Sequence, residues 1–372
     1  SGTDDSANYN TAYGLTALNA IQTGDRNTAI GFSAAGALTT GVENVIIGTD
    51  AGAALTSGSY NVAVGKGALS SEDAHGKNVA IGYAALQVQD AGQDAYNVAI
   101  GFEAGHDLIQ GKKNTLVGGF AGSKITSAIY NTALGYQSLA ANLIGDNNTA
   151  LGYLALQDFV ADTDSHGNNT AVGSSSMSNA TTGTENTAIG ALAIGTGVTT
   201  GNDNVAVGYA AGYNLTSGNS NVFVGRSSGV SVLTGVQNVA LGYNSMGTAN
   251  GSESKNVAIG FNALALMDSD GDNFNTAVGY EAGLAVTTGT RNTLVGGRAG
   301  DALTTGVRNV AIGYSALSQE DANSYNVAIG DSALTQLNAG ADGYNVAVGY
   351  QAGTAMTTGD LNTIVGGLAG DS

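Results

Sequence analysis

The sequence predicts an all-β fold, a parallel β-roll or β-solenoid of about 21 coils with a 17-residue repeat. Three observations predict it. A short unit (Asn, Thr or Val, a small residue, an aliphatic, Gly) recurs 21 times between Asn10 and Gly366. The unit is constant while the connection to the next copy varies, which is how a strand and its loop behave. The chain also has 58 Gly and no Pro, and parallel stacking needs nearly every backbone N–H.

Each column of the unit has its own physical reason. Of the 20 spacings between successive Asn, 14 are 17 residues, two are 18, three are 19 and one is 21. The residue after the Asn (+1) is always Thr or Val, and β-branched residues favour strands. The +3 residue is Ile, Val or Leu, with Tyr13 the one exception. These two share one face of a short strand spanning about five residues. The other face carries Ala at +2 in 16 copies and Gly at +4 in all 21. Two readings of the Gly stay open, a turn at positive φ or the close passage of another backbone. The Ala column favours close packing.

Five copies break the Ala column, with Ile46, Leu116, Phe223, Leu294 and Ile364. They mark a superperiod of about 70 residues with one irregular stretch, and the longest connections keep the same beat. Position +8 is mostly Leu or Gly. Where it is Gly, an apolar plug usually follows at +11, as in Gly52 with Leu55, Gly105 with Leu108 or Gly353 with Met356. Where it is Leu, as at Leu69 or Leu317, position +11 is free to be charged (Glu72, Glu320). Close-packed interiors demand such compensation. The framework is thus the Asn and Gly columns, represented by Asn61, Gly65, Asn204, Gly208, Asn309 and Gly313. The Asn are expected to form an internal amide ladder. Stacked at about 4.8 Å, 21 coils would span on the order of 100 Å. Residues 1–9 read as a lead-in and 10–372 as one continuous repeat domain.

Composition excludes several function classes. The net charge is −18, which argues against nucleic acid and against an anionic membrane surface. The absence of Cys removes disulfides, zinc thiolates and thiol nucleophiles. No apolar run is long enough for a membrane-spanning helix. The chain opens Ser1-Gly2-Thr3 and ends within the array at Ser372, as expected of a processed product or an excised segment.

The units Asn27-Thr-Ala-Ile-Gly-Phe, Asn78-Val-Ala-Ile-Gly-Tyr and Asn345-Val-Ala-Val-Gly-Tyr resemble the coils of YadA-type trimeric autotransporter adhesin heads. The fuller unit Asn131-Thr-Ala-Leu-Gly-Tyr-Gln-Ser-Leu is similar to repeats of phage tail fibres and large surface proteins. The resemblance covers residues 10–370. It implies a left-handed roll in a homotrimer, with a virion-surface, extracellular or cell-surface location. The 17-residue coil departs from the roughly 14 residues of the adhesin heads and implies longer outer loops. The small Ala/Gly face is expected to be the surface on which three rolls pack.

The search for chemistry yields little. His75, His106 and His166 lie far apart, and no Ser-His-Asp arrangement is evident. The run Asp268-Ser-Asp270-Gly-Asp272-Asn273 resembles the start of a calcium loop, because Ca²⁺ takes several oxygen ligands. It lacks the closing Glu of an EF-hand and equally fits a polar turn. Asp162, Asp164 and Asn168 echo it more weakly. Aromatics recur at +5 in 11 coils, among them Tyr83, Phe102, Tyr136, Phe261 and Tyr280, read as packing with a wet hydroxyl rather than as a sugar-binding stripe.

The resulting expectation is a non-enzymatic trimeric fibre segment of a phage tail fibre or related appendage for host-surface attachment, without a cofactor, Ca²⁺ aside. Its partners are expected to be copies of itself and a host cell-surface glycan or protein receptor. The alternatives are a bacterial adhesin head or a head-to-tail filament subunit. Receptor contacts are expected on the four longest connections, 87–96, 157–168, 265–274 and 335–344.

Overall fold

The computed structural model describes residues 7–161, 167–195, 197–248, 251–340 and 342–371. The chain divides into two compact units, residues 1–185 and 186–372. The first holds ten strands, β1 (Thr11–Tyr13) to β10 (Thr170–Val172). The second holds eleven, β11 (Thr187–Ile189) to β21 (Thr363–Val365). Within each unit every strand pairs in parallel with the next, residue for equivalent residue, as in Val205↔Val222 and Ala206↔Phe223. This is a parallel β-solenoid with one strand per coil. Among the described residues no helix is long and apolar enough to cross a membrane.

The strands are three residues long rather than about five, because the columns on either side are fixed differently. The Gly at +4 ends the strand by turning to φ near +135°: +133° at Gly65, +136° at Gly208 and +137° at Gly313. A Cβ on Gly208 would also lie 2.6 Å from the carbonyl oxygen of Gly225 in the next coil. Both readings of the Gly column therefore hold at once. The backbone needs φ > 0, and it passes too close to its neighbour for any side chain.

The Asn before the strand holds the coils together. In the first unit the backbone N–H of each Asn from Asn27 to Asn169 donates to the Oδ1 of the Asn one coil back, at 2.8–3.1 Å. In the second unit the same bond runs from Asn204 to Asn362. The Nδ2 group usually donates to the carbonyl 14 residues on, as in Asn204 to Gly218 (2.8 Å), Asn309 to Asn323 (2.8 Å) and Asn61 to His75 (3.2 Å). Asn61, Asn204 and Asn309 are fully buried. Only an amide supplies an acceptor on one side and a donor on the other at this size.

The small face corrects the expectation about trimer packing. The central residue of every strand except the first and last is buried inside its own coil. The Ala column therefore meets the plugs and is not a surface for other chains. The bulky exceptions explain the Gly at +8. Phe223 lies between Gly212 on the preceding coil and Gly229 on its own, and a Cβ at either would contact its ring. Leu294 sits likewise against Gly283 and Gly300. A large +2 side chain thus fills space that two +8 positions vacate. Position +11 stays inside whatever its chemistry. Leu55 and Leu108 are buried, and so are Gln89, Glu72 and Glu320.

Each coil also holds strained backbone. Every residue directly before a ladder Asn, from Tyr9 to Leu361, has φ between +49° and +64°. Positions +6 and +8 are left-handed as well, for example Ser33 at +58° and Ala35 at +47°. Each such non-Gly residue costs roughly 1–2 kcal/mol. The gain is a bond to a neighbouring coil. Ser33 N–H donates to Leu15 O on the coil before, and Ala35 N–H donates to Ala51 O on the coil after, both at 3.0 Å.

Two outcomes test this account. Gly208→Val should lower stability by more than about 3 kcal/mol through clash and strain together, and an unchanged melting temperature would refute it. Asn204→Ala removes the acceptor of Asn221 N–H and the donor to Gly218 C=O. Each loss is worth about 1–3 kcal/mol. Hydrogen exchange should show the Asn221 amide losing protection while Asn345 keeps its own.

Candidate functional site

With Ala turned inward, +1 and +3 face outward on every coil. Neither column holds a charged residue in any of the strands. At +3, Ile30, Ile100 and Leu134 in the first unit and Ile189, Ile259 and Ile312 in the second are 36–51% exposed. A strand face made for water would carry Lys or Glu there. Each unit therefore presents an aliphatic ridge one side chain wide.

Two ladders flank this ridge in the order of the chain. After the strand, aromatics contact one another from coil to coil, face to face at Tyr83–Phe102 and Tyr136–Tyr153 and edge-on at Phe120. Tyr83 and Phe102 lie 5.0 Å apart, Phe102 and Phe120 5.2 Å, Phe120 and Tyr136 5.9 Å, and Tyr136 and Tyr153 6.0 Å. In the second unit Arg226 lies over Tyr209 and Tyr243, and Tyr243, Phe261 and Tyr280 continue the stack at 5.2 Å steps. These rings pack against each other and, Phe120 apart, remain about half exposed, so the stripe packs on the surface and not into the core. Phe120 is a member that the +5 column does not show. It stands at +6, beside Gly119, which takes the +5 position that an aromatic fills in other coils.

The ladder before the strand uses the residue preceding each Asn. Lys77 lies over Tyr96 at 5.1 Å, Lys113 over Tyr130 at 4.9 Å and Arg308 over Tyr325 at 5.5 Å, while Tyr325 and Tyr344 stack at 4.8 Å. Six of the 11 Lys and Arg occupy this column. Carboxylates pair with them, as Asp94 does with Lys77 and Glu43 with Arg26. The alternation Tyr60-Lys77-Tyr96-Lys113-Tyr130 is readable in the sequence once this column is aligned. Cation–π contacts and ion pairs this exposed to solvent stabilise the coil only weakly.

The long connections carry the calcium candidate. In 265–274, Asp272 pairs with Lys255 at 2.6 Å, and Asp270 accepts a hydrogen bond from Ser252 Oγ at 3.2 Å. Asp268 is exposed. The structure does not bring Asp268, Asp270 and Asp272 together as one ligand set. Among the described residues, the acidic and His side chains that do converge are Glu72, Asp73, His75 and Asp90. His106 pairs instead with Asp107, which also holds Lys124. Asp162, Asp164 and His166 lie outside the described residues, as does part of the 157–168 connection.

Three carboxyls are buried, Glu72 and Glu320 at +11 and Glu253 at +15, and only the first two fall in a column that the sequence singled out. Glu72, Glu253 and Glu320 are fully buried, and each has an oxygen without a partner. Burial pushes all three above the ordinary glutamate value of 4.5, against the lowering effect of backbone N–H groups. Comparison with protein-family models and with curated proteins gives no match to this chain.

The raised carboxyls imply a pH dependence of definite sign. The folded state holds these protons more tightly than the unfolded state. Stability therefore falls as pH rises from about 4.5 through the higher folded values, and it is restored on acidification. Glu320→Gln keeps an acceptor for the Ala322 and Asn323 N–H groups and removes the buried charge. Its melting temperature should exceed that of the parent at pH 7, and the gain should vanish below pH 4.5. A gain that persists in acid would show that packing, not ionisation, is responsible.

Proposed function

We propose that the chain is a non-enzymatic fibre segment that assembles as a homotrimer, in a phage tail fibre or related appendage that attaches to a host surface. The observation that carries this reading is the uncharged outward strand face, aliphatic at +3 and Thr or Val at +1, repeated on the coils of both units. Its periodicity matches only a partner with the same repeat, and a second and third copy of this chain have that repeat. Burying such a ridge would contribute about 25 cal/mol per Å². The flanking aromatic and cationic ladders would form the polar rim of that contact.

Attachment belongs to the long connections in this reading. They carry exposed polar groups such as Gln93, Asp94 and Asp270, while their inward +11 residues (Gln89, Phe159, Met267, Leu337) keep the coil filled. A host glycan or protein receptor would therefore meet loops that vary without disturbing the stack. The Asn-Val-Ala-Ile-Gly units at Asn78 and Asn256 favour a second reading with the same physics, the head of a bacterial surface adhesin.

Light scattering tests the assembly. The chain should give about three times its 36.6 kDa mass. Leu134→Lys with Ile259→Lys should yield a folded monomer, with the parent's circular dichroism. A parent that is monomeric, or a double variant that remains trimeric, overturns the proposed interface.

A further inference from the structure

The connections of two successive coils, those beginning at Asn61 and Asn78, converge on one point. Glu72 (+11), Asp73 (+12) and His75 (+14) come from the first, and Asp90 (+12) comes from the second. One ligand atom from each lies within 4.8 Å of all the others. Glu72 is fully buried. Its Oε1 accepts the His75 backbone N–H at 3.1 Å and stands 3.5 Å from His75 Nδ1. Its Oε2 has no partner, and neither does His75 Nδ1 as a hydrogen-bonding atom. Asp73 and Asp90 are exposed, so the point is open to solvent on one side. The nearby Lys77 is held by Asp94 and Tyr96. Three carboxyl groups and one imidazole thus meet with no Lys or Arg among them.

We propose that Glu72, Asp73, His75 and Asp90 bind one divalent first-row transition-metal cation, with Zn²⁺ the best match. Calcium and magnesium take all-oxygen shells. A set that mixes imidazole nitrogen with carboxylate oxygen suits Zn²⁺, which four ligands satisfy. The buried Glu72 supplies an oriented ligand from the coil interior, and the exposed aspartates close the shell from outside. The ion would tie two successive coils together at a connection.

The chain contains its own control. Ser318-Gln-Glu320-Asp321-Ala-Asn323 repeats Ser70-Ser-Glu72-Asp73-Ala-His75. The backbones correspond. Thr56 N–H and Oγ1 donate to Asp73 O as Thr304 N–H and Oγ1 do to Asp321 O. Asp90 N–H donates to Ile109 O at 2.9 Å, and Asn338 N–H donates to Thr357 O at 2.8 Å. The second copy also leaves Glu320 Oε2 without a partner, so an unpartnered oxygen alone does not distinguish the two. Two ligand positions do. His75 and Asp90 are replaced together by Asn323 and Asn338. Both amides are poor transition-metal ligands, so the second copy keeps the scaffold and loses the coordinating chemistry.

The test uses the whole tag-free chain, stripped with chelator and titrated with ZnCl₂ by calorimetry, with metal counted after gel filtration. We expect one Zn²⁺ per chain, a melting temperature that rises on binding, and Ca²⁺ binding far weaker than Zn²⁺. Asp73→Asn and Asp90→Asn alter exposed side chains and should each weaken Zn²⁺ at least tenfold with circular dichroism unchanged. His75→Asn with Asp90→Asn, which copies the second site, should abolish binding. Absence of saturable Zn²⁺ binding overturns the proposal. So does full binding by the double variant, which would place the ion elsewhere, or a preference for Ca²⁺.

Discussion

The Asn ladder is the constraint on which the rest depends. Each buried Oδ1 accepts the backbone N–H of the next ladder Asn, so each coil is positioned by the side chain of the coil before it. That bond fixes the register of every strand pair within a unit. Once the register is fixed, identical columns must stack on themselves. An interior column then has to be small or shared, and an exterior column becomes a continuous stripe. The Gly at +4 follows from the same requirement, because coils this close leave no room for a Cβ where the backbone turns.

The same stacking makes strained backbone tolerable. A residue at φ near +55° is unfavourable alone, yet here one recurs before every ladder Asn, most often Tyr, Lys, Arg or Glu. Its N–H gains a bond to the neighbouring coil, as Tyr60 N–H does to Val42 O at 3.0 Å. Its side chain gains a stacked neighbour on the outer surface. Aromatic and cationic residues suit such columns because a ring accepts a ring or a cation from the next coil.

The interior has a second logic, exchange of volume. A coil is filled from +2, +8 or +11, and what one position adds another gives up, as Phe223 does with Gly212 and Gly229. Polar residues enter this exchange at a cost. Gln89 meets it by accepting from Asn97 Nδ2 at 2.8 Å. Glu72 and Glu320 meet it only partly, each keeping a buried oxygen without a partner. Such incomplete satisfaction is where a repeat departs from pure scaffold, and it coincides with the convergent cluster at His75.

The sequence by itself determined the solenoid, the coil count, the parallel register and the framework residues. Period and column identity are one-dimensional properties, and in a stack each coil meets only its neighbours. The plug exchange between +8 and +11 was legible for the same reason. What the tertiary structure decided is direction. Whether Ala or Ile faced inward could not be read from alternation, since both columns are apolar. Packing placed Ala29 and Ala206 inside and left Ile30 and Ile189 outside. Nor did the sequence disclose that Glu72 and Glu320 are buried, or that Phe120 joins the aromatic stack from a shifted position. The Asp268–Asp272 run had a familiar spacing, but Asp272 pairs with Lys255 and Asp270 with Ser252, and the three carboxylates do not form a common cluster. Glu72, Asp73, His75 and Asp90 had none, because Asp90 comes from the following coil, and only stacking brings it within reach of the other three.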